Sequence, residues 1–427
     1  KAVRSLTAYP ENKDVVAALC EALGDPNKGV QNITIEALSS MPHENVVLGL
    51  INVVKSPDLN TRNAGMTILR NLGSMAIAPI VTALNASEDV DEKIQLLVIL
   101  GDIKSHLATD AVIKYIDNED DNVKTTAVES LGKIQDPKAV KVLLETYKNT
   151  DILKYSIVEA LGNIAVEDVL PVLIGALESG DMLEYFTAIG ALGATESPNA
   201  IEVLCKKIDT EEDAGTRRLI FKSLAQIEQA NPGSIKNFTS DSLVNVLVGL
   251  LDNHDAAEYR YLVEVASALE NETFANALLD ALQSPEEEIS EAAFAGLCKL
   301  GVKAVKASLD KIGRVEPTVA VKILRYLEKY PSAEVPNAIS MFSQNPDDSL
   351  RQALAKTLGA CKSEIAFNAL KEMLNDIDET VRKNAVISVA GMLDCPGAIQ
   401  ALIDKFRDIS GHVRREACLA VANTGSS

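Results

Sequence analysis

The sequence predicts an all-α solenoid, a right-handed α-α superhelix of about 13 helical-hairpin repeats spanning residues 1–427. Three observations predict it. A polar residue in the first turn of a predicted helix recurs at Gln31, Arg62, Lys93 and Lys124, 31 residues apart each time. Around each marker the apolar residues follow the period of a helix with one buried face. Aromatics are only 4% of the chain and Trp is absent, so Ala, Leu, Val and Ile must fill thin helix-on-helix layers.

The stretch 378–408, DETVRKNAVISVAGMLDCPGAIQALIDKFRD, shows the unit. In its first helix Val381, Ala385, Val389 and Met392 form an apolar stripe, with Arg382 and Lys383 assigned to the polar side. Pro396 and Gly397 make the turn, where proline suits a helix entry and glycine a break. In the second helix Ala398, Ile399, Ala401, Leu402, Ile403 and Phe406 are apolar, while Gln400, Asp404 and Lys405 face water. So small a hairpin cannot bury its own apolar face and must stack on a copy of itself.

Taken in order, the marker continues at Lys154, Glu184, Arg217, Arg260 and Glu291, lapses near Val321, and returns at Arg351, Arg382 and Arg414. Acids precede many of these helices, as at Asp120, Asp347, Asp376 and Asp378. They suit the positive end of the helix dipole, and one repeat's acid can pair with the next repeat's Arg, giving a structural ladder. Second helices are expected at 45–55, 77–85, 109–117, 137–148, 167–178, 198–208, 241–252, 273–283, 302–312, 334–343, 364–374 and 397–407. One repeat, 215–256, is longer than the rest, its excess lying in the Pro/Gly/Ser/Asn-rich segment 229–241. Such an insertion is either slack or a binding loop. The repeats at both ends read as incomplete, which leads us to expect an array belonging to a larger chain or complex.

The segments VKTTAVESLGKIQDPKAVKVLLETY (123–147) and VRKNAVISVAGMLDCPGAIQALIDKF (381–406) carry the pattern V-R-x-x-A, A-L-G-x-[IL], turn, A-[VI]-x-x-L. This resembles the HEAT-repeat family, and most closely its short phycobilisome-lyase-like variety. The resemblance covers essentially the whole chain and implies a HEAT/armadillo-type fold. Because such arrays serve enzymes, receptors and scaffolds alike, it implies no single activity.

Composition narrows the function. A net charge of −20 disfavours nucleic acid and anionic lipid as partners. Residues 1–213 carry net −15 and residues 214–427 net −5, so the amino-terminal half is the better surface for a basic partner. Some HEAT arrays are di-iron hydroxylases with several His-Glu pairs; here the sole pair is His43-Glu44, too few ligands for such a site. Six cysteines form no CxxC pair and read as buried, reduced thiols in a cytoplasmic protein. No phosphate-binding loop, nucleophile elbow or calcium loop is present. The reading is therefore non-enzymatic, with no catalytic, metal or cofactor residues.

Two sets of residues stand out as partner-binding candidates. One follows the marker: Tyr155, Tyr185, Arg218 and Tyr261, residue types that anchor interfaces. Tyrosines partly buried between repeats are the competing account. The other lies early in the second helices: Asn245, Asn276, Lys306, Asn337, Asn368 and Gln400, with Gly49, Pro79, Lys141, Pro171 and Glu202 assigned to that register in the first half. The resemblance implies that second helices line the concave side, making the carboxamides a candidate peptide ladder. Ordinary solvated positions are the competing account. The expected function is a scaffold gripping a protein or peptide. A helper subunit of a chromophore lyase or cofactor-maturation enzyme is an alternative, as is a regulatory module of a signalling protein.

Overall fold

The computed structural model describes residues 5–238, 240–252 and 258–422. Among these every regular element is helical. The chain divides into two compact units, Lys1–Lys206 with Gln229–Asn231, and Lys207–Glu228 with Pro232–Ser427. In each unit, first helices stack on first helices, and most second helices pack against the first helix that follows them.

First helices begin where an acid or amide caps them. Asp58, Asp89, Asp120, Asp181, Asp347 and Asp378 each accept a bond from an amide two or three residues on, leaving fewer free donors in the first turn. Many first helices end on a residue with positive φ: Lys104, Gln135, Ala165, Glu196, Glu270 and Lys362. None is glycine, so each bears the cost of a Cβ in left-handed space. Ala165→Gly should therefore stabilise the first unit by about 0.5–1 kcal/mol, read as a higher urea midpoint. An unchanged or lower midpoint would refute the strain.

Second helices start close to their predicted positions. Many enter through a short 3-10 turn, such as Glu167–Val169 before Leu170–Ala176 and Glu272–Phe274 before Ala275–Ala281. The apolar segment Leu59–Ala86 is long enough to cross a membrane, but Gly73 (φ 63°) breaks it into two helices, Leu59–Leu72 and Ile77–Ala86.

Small residues set how closely first helices approach. A Cβ on Gly101, Gly132 or Gly162 would lie 2.9, 2.8 or 2.7 Å from the Cα of Ser130, Ala160 or Ala191 on the next first helix. Gly296 meets Ser267 and Gly359 meets Ser388 in the same way in the second unit. Hydroxyls at this seam bond across it: Ser130 Oγ to the Leu97 carbonyl (2.9 Å), Thr357 Oγ1 to that of Leu324 (3.0 Å), and Ser388 Oγ to that of Ala355 (2.9 Å).

The marker residues behave differently from the sequence expectation of a polar face. Arg351 and Arg382 are buried. Arg351 makes a bidentate pair with Asp376 (2.8 and 2.9 Å), and Arg382 with Asp408 (3.0 Å for both bonds). Each also donates to two carbonyls in the turn before its own helix. In the turn before Arg382 two acids divide the work: Asp378 caps its helix while Asp376 takes Arg351. Elsewhere the ladder is mixed: Arg260 bonds Glu264 on its own helix and Glu288 on the next first helix. Lys124 and Lys154 pair only with Asp121 and Asp151 in their own first turns. Glu184 falls on the buried stripe, where it accepts the phenol hydrogen of Tyr147.

The long repeat is pinned. The buried Glu228 carboxylate accepts bonds from the Gly233 amide (2.6 Å), the Ser234 hydroxyl (3.2 Å) and the Ile235 amide (3.1 Å). Ile235 is buried beneath the loop, and Lys236 pairs with Glu270. Thr239 lies outside the described residues. None of the cysteines forms a disulfide, but only Cys20 is buried; Cys205, Cys298, Cys361 and Cys395 are half-buried and Cys418 is exposed.

Candidate functional site

In the second unit the second helices present one register uniformly. Asn245, Asn276, Lys306, Asn337, Asn368 and Gln400 each stand two residues before a fully buried side chain: Leu247, Leu278, Ser308, Ile339, Leu370 and Leu402. A helix turns about 100° per residue, so each of the six lies on the side away from its buried neighbour. All six are exposed.

One turn further along, on the same helix face, stand Asp280, Asp310, Met341, Glu372 and Asp404. Gln400 Nε2 donates to Asp404 Oδ1 at 2.9 Å, and Asp280 takes Lys311. Carboxamides and carboxylates thus run as two adjacent rows. Apolar side chains edge them. Ile399, Ile403 and Phe406, expected in the core, are exposed, as are Ile365 and Met341. The hairpin's apolar quota exceeds what its neighbours cover, and the surplus lies on this side.

The first unit lacks this pattern. Counting back from its buried residues, the register holds Leu48, Ala78, Asp110, Lys141, Pro171 and Glu202. Gly49 and Pro79 are thus one residue out of the place the sequence assigned them. Between helices Glu44–Val54 and Ile77–Ala86 lies a groove of about 350 Å³ lined by Leu48, Ile51, Pro79 and Thr82, with the Lys55–Glu92 ion pair (2.8 Å) at its edge.

Tyr155, Tyr185, Arg218 and Tyr261 do not form one row. Tyr155 stands six residues before Leu161 and Arg218 six before Leu224, but Tyr185 stands seven before Leu192 and Tyr261 five before Ala266. Each single step rotates the side chain by about 100°, so sequence spacing alone misaligned them. Tyr155 is exposed and borders a cleft of about 330 Å³ with Glu159, Asn163, Thr187 and Gly190. The negative charges of Glu159 and Glu129, together with burial, raise its phenol above the ordinary range. Tyr185, Arg218 and Tyr261 are half-buried. Tyr185 packs against Phe186, and the Lys222 ammonium lies 5.7 Å from the Tyr261 ring centre.

Among the described residues no three His, Cys, Asp or Glu side chains converge on a common point that would hold a metal. His43 serves the backbone, since its Nδ1 accepts the Asn45 amide at 3.2 Å and so caps Glu44–Val54. His412 is exposed and His254 lies outside the described residues. The carboxylate row escaped sequence reading although its signal was there, an acid four residues after the carboxamide or lysine at Asp280, Asp310, Glu372 and Asp404.

Residues 77–157 and 148–225 match the family model for HEAT repeats. No curated protein matches the chain in sequence. Several solved structures share its fold. A structure of Kap95p binding RanGDP has a TM-score of 0.56 and 14% identity, covering 96% of this chain and 68% of that one. Importin beta crystallised in ammonium sulfate has a TM-score of 0.52 and 15% identity, covering 95% and 69%. Yeast importin-beta (Kap95p) has a TM-score of 0.51 and 14% identity, covering 95% and 68%. At such identities the likeness is one of fold.

Proposed function

Because the chain is built of HEAT repeats, a fold typical of protein-interaction scaffolds, we propose that it is a non-catalytic scaffold that holds a peptide segment of a protein partner. The second-helix face of the second unit is the binding surface. The observation that carries this is the paired row. Exposed carboxamides at one register can bond to an extended peptide backbone, which offers both donors and acceptors. The carboxylates one turn away, Asp310, Glu372 and Asp404, suit lysine or arginine side chains of that peptide. Ile365, Met341, Ile399 and Ile403 add apolar contact. We accordingly assign the basic-partner surface to the second unit, although the amino-terminal half carries more negative charge, on the ground that a docked peptide reads the local order of complementary groups.

Panning a random peptide library against the intact chain should enrich sequences containing Lys or Arg. A triple variant, Asn276→Arg, Asn337→Arg and Asn368→Arg, should bind the selected peptides at least about tenfold more weakly, equivalent to about 1.4 kcal/mol. All three sites are exposed, so the helical circular dichroism should not change. Undiminished binding by the triple variant, or the absence of any enrichment, would sink the proposal.

A further inference from the structure

On the first-helix side of the second unit, one seam between repeats is built differently. At the glycine seams described above, a small residue directly after a buried apolar residue meets another small residue directly before one, as Gly132 after Leu131 meets Ala160 before Leu161. Between helices Glu287–Leu300 and Pro317–Lys329 those two places hold Cys298, after Leu297, and Tyr326, before Leu327. Tyr326 is fully buried. Its hydroxyl donates to the Gly301 carbonyl, and its ring lies 5.3 Å from that of Tyr330, whose hydroxyl donates to the Cys298 carbonyl. A phenol ring where the glycine seams have Ser, Ala or Gly holds the neighbouring helices apart. These helices meet over a shorter stretch than the pairs on either side.

Beside this seam, between Pro317–Lys329 and the next first helix, Asp348–Cys361, lies a cleft of about 630 Å³. Phe294 forms one side of its wall, and Arg325, Lys329 and Lys356 line it with a single carboxylate, Glu328. Arg325 and Lys329 are one turn apart on the same helix face. Lys356 occupies on the next helix the register that Arg325 holds, each two residues before its buried Leu358 or Leu327. In the first unit that register carries the opposite charge, at Glu129 and Glu159. The Lys329 ammonium is held 5.0 Å from the Phe294 ring centre. Among the described residues Arg325 and Lys356 form no ion pair, in a chain where acids outnumber bases 61 to 41.

We infer that this cleft is an anion pocket for a phosphate monoester. Three cations against one carboxylate leave two positive charges, which match a phosphoryl dianion. The guanidinium supplies a planar fork for two of its oxygens, and the ammoniums supply point charges. Half-buried Phe294 in the wall offers an apolar contact to an aromatic or aliphatic group attached to the phosphate. The pocket lies on first helices and is independent of the peptide face proposed above.

The test is fluorescence anisotropy of the intact chain with a labelled tyrosine-phosphorylated peptide, competed by phenyl phosphate, by inorganic phosphate and by an Asp/Glu-rich peptide. The phosphopeptide should bind, phenyl phosphate should displace it, and binding should weaken steeply with salt because the cations are exposed. The double variant Arg325→Ala/Lys356→Ala should bind at least about tenfold more weakly. The control Lys299→Ala/Lys303→Ala should bind as the parent does. Displacement by inorganic phosphate as effective as by phenyl phosphate would assign a free phosphoryl ligand; displacement by the organic ester alone would assign a phosphorylated side chain. Equal binding by the Arg325/Lys356 variant, or displacement by the Asp/Glu-rich peptide as effective as by phenyl phosphate, would overturn the inference. The result is separable from the peptide face, because the Asn276/Asn337/Asn368 variant should leave phosphopeptide binding unchanged.

Discussion

Asp408→Ala will destabilise the second unit by about 3 kcal/mol, seen as a lower urea midpoint in its unfolding. The Arg382 and Asp408 side chains are only 7% and 5% exposed, and the two form parallel charge-assisted bonds at 3.0 Å. Removing the acid leaves a guanidinium out of water with only the Asp376 and Ile377 carbonyls as partners. The cost is chiefly that of a stranded buried charge. It follows that Arg382→Met combined with Asp408→Leu should be less damaging than Asp408→Ala alone. If the single variant unfolds at the parent's midpoint, the pair is not the tie described here.

The same pair, with Arg351–Asp376, makes the second unit acid-sensitive. Burial works against the charge of Asp408 and Asp376. The hydrogen bonds and charge of their arginines overcome it, holding both carboxyls below the ordinary carboxylate range. A carboxyl whose folded pKa is depressed contributes stability that is complete above its unfolded pKa, near 4, and lost as pH falls through the folded value. The midpoint of the second unit should therefore drop below about pH 4, and drop less in the Arg382→Met/Asp408→Leu variant.

Gly162→Val should be nearly as severe for the first unit, costing about 1–3 kcal/mol. An added Cβ would lie 2.5 Å from that of Ala191 and 2.7 Å from its Cα, and the Cα cannot rotate away. Helices Lys154–Ile164 and Met182–Ala194 would have to separate, opening packed leucine layers on both sides. The second unit shows how a large residue is accommodated where it is native, at Cys298 and Tyr326, with compensating phenol bonds. The first unit has no such compensation. Gly175, whose added Cβ would touch nothing within 4 Å, is the control: Gly175→Ala should be neutral or mildly stabilising through helix propensity. Equal midpoints for the two variants would show that the close approach is not limiting.

Much of the architecture was legible without coordinates, because the period of apolar residues reports directly which side of a helix is covered. Val381, Ala385, Val389 and Leu402 are buried as that period requires. The second helices begin within a few residues of their predicted positions, because Pro, Gly and capping residues punctuate the chain locally. The carboxamide register was also legible, since Asn276, Asn337, Asn368 and Gln400 each precede their core residue by the same two positions.

Other features depended on partners some 25 to 33 residues away, and local pattern does not specify those. Sequence placed Arg382 on a polar face, whereas the fold buries it because Asp408 of the following turn reaches it. Sequence aligned Tyr155, Tyr185 and Tyr261, but one-residue slips between repeats turn their side chains in different directions. Nothing in the local pattern marked Tyr326 as a spacer between helices, since a tyrosine is ordinary in an apolar stripe and becomes a wedge only against the residue opposite, Cys298. By itself, then, the sequence determined the repeat, its helices and its core, which follow from burial on each helix. Only the tertiary structure decided which charges pair, where the seams open and which side chains form rows, because those depend on the register between neighbouring repeats.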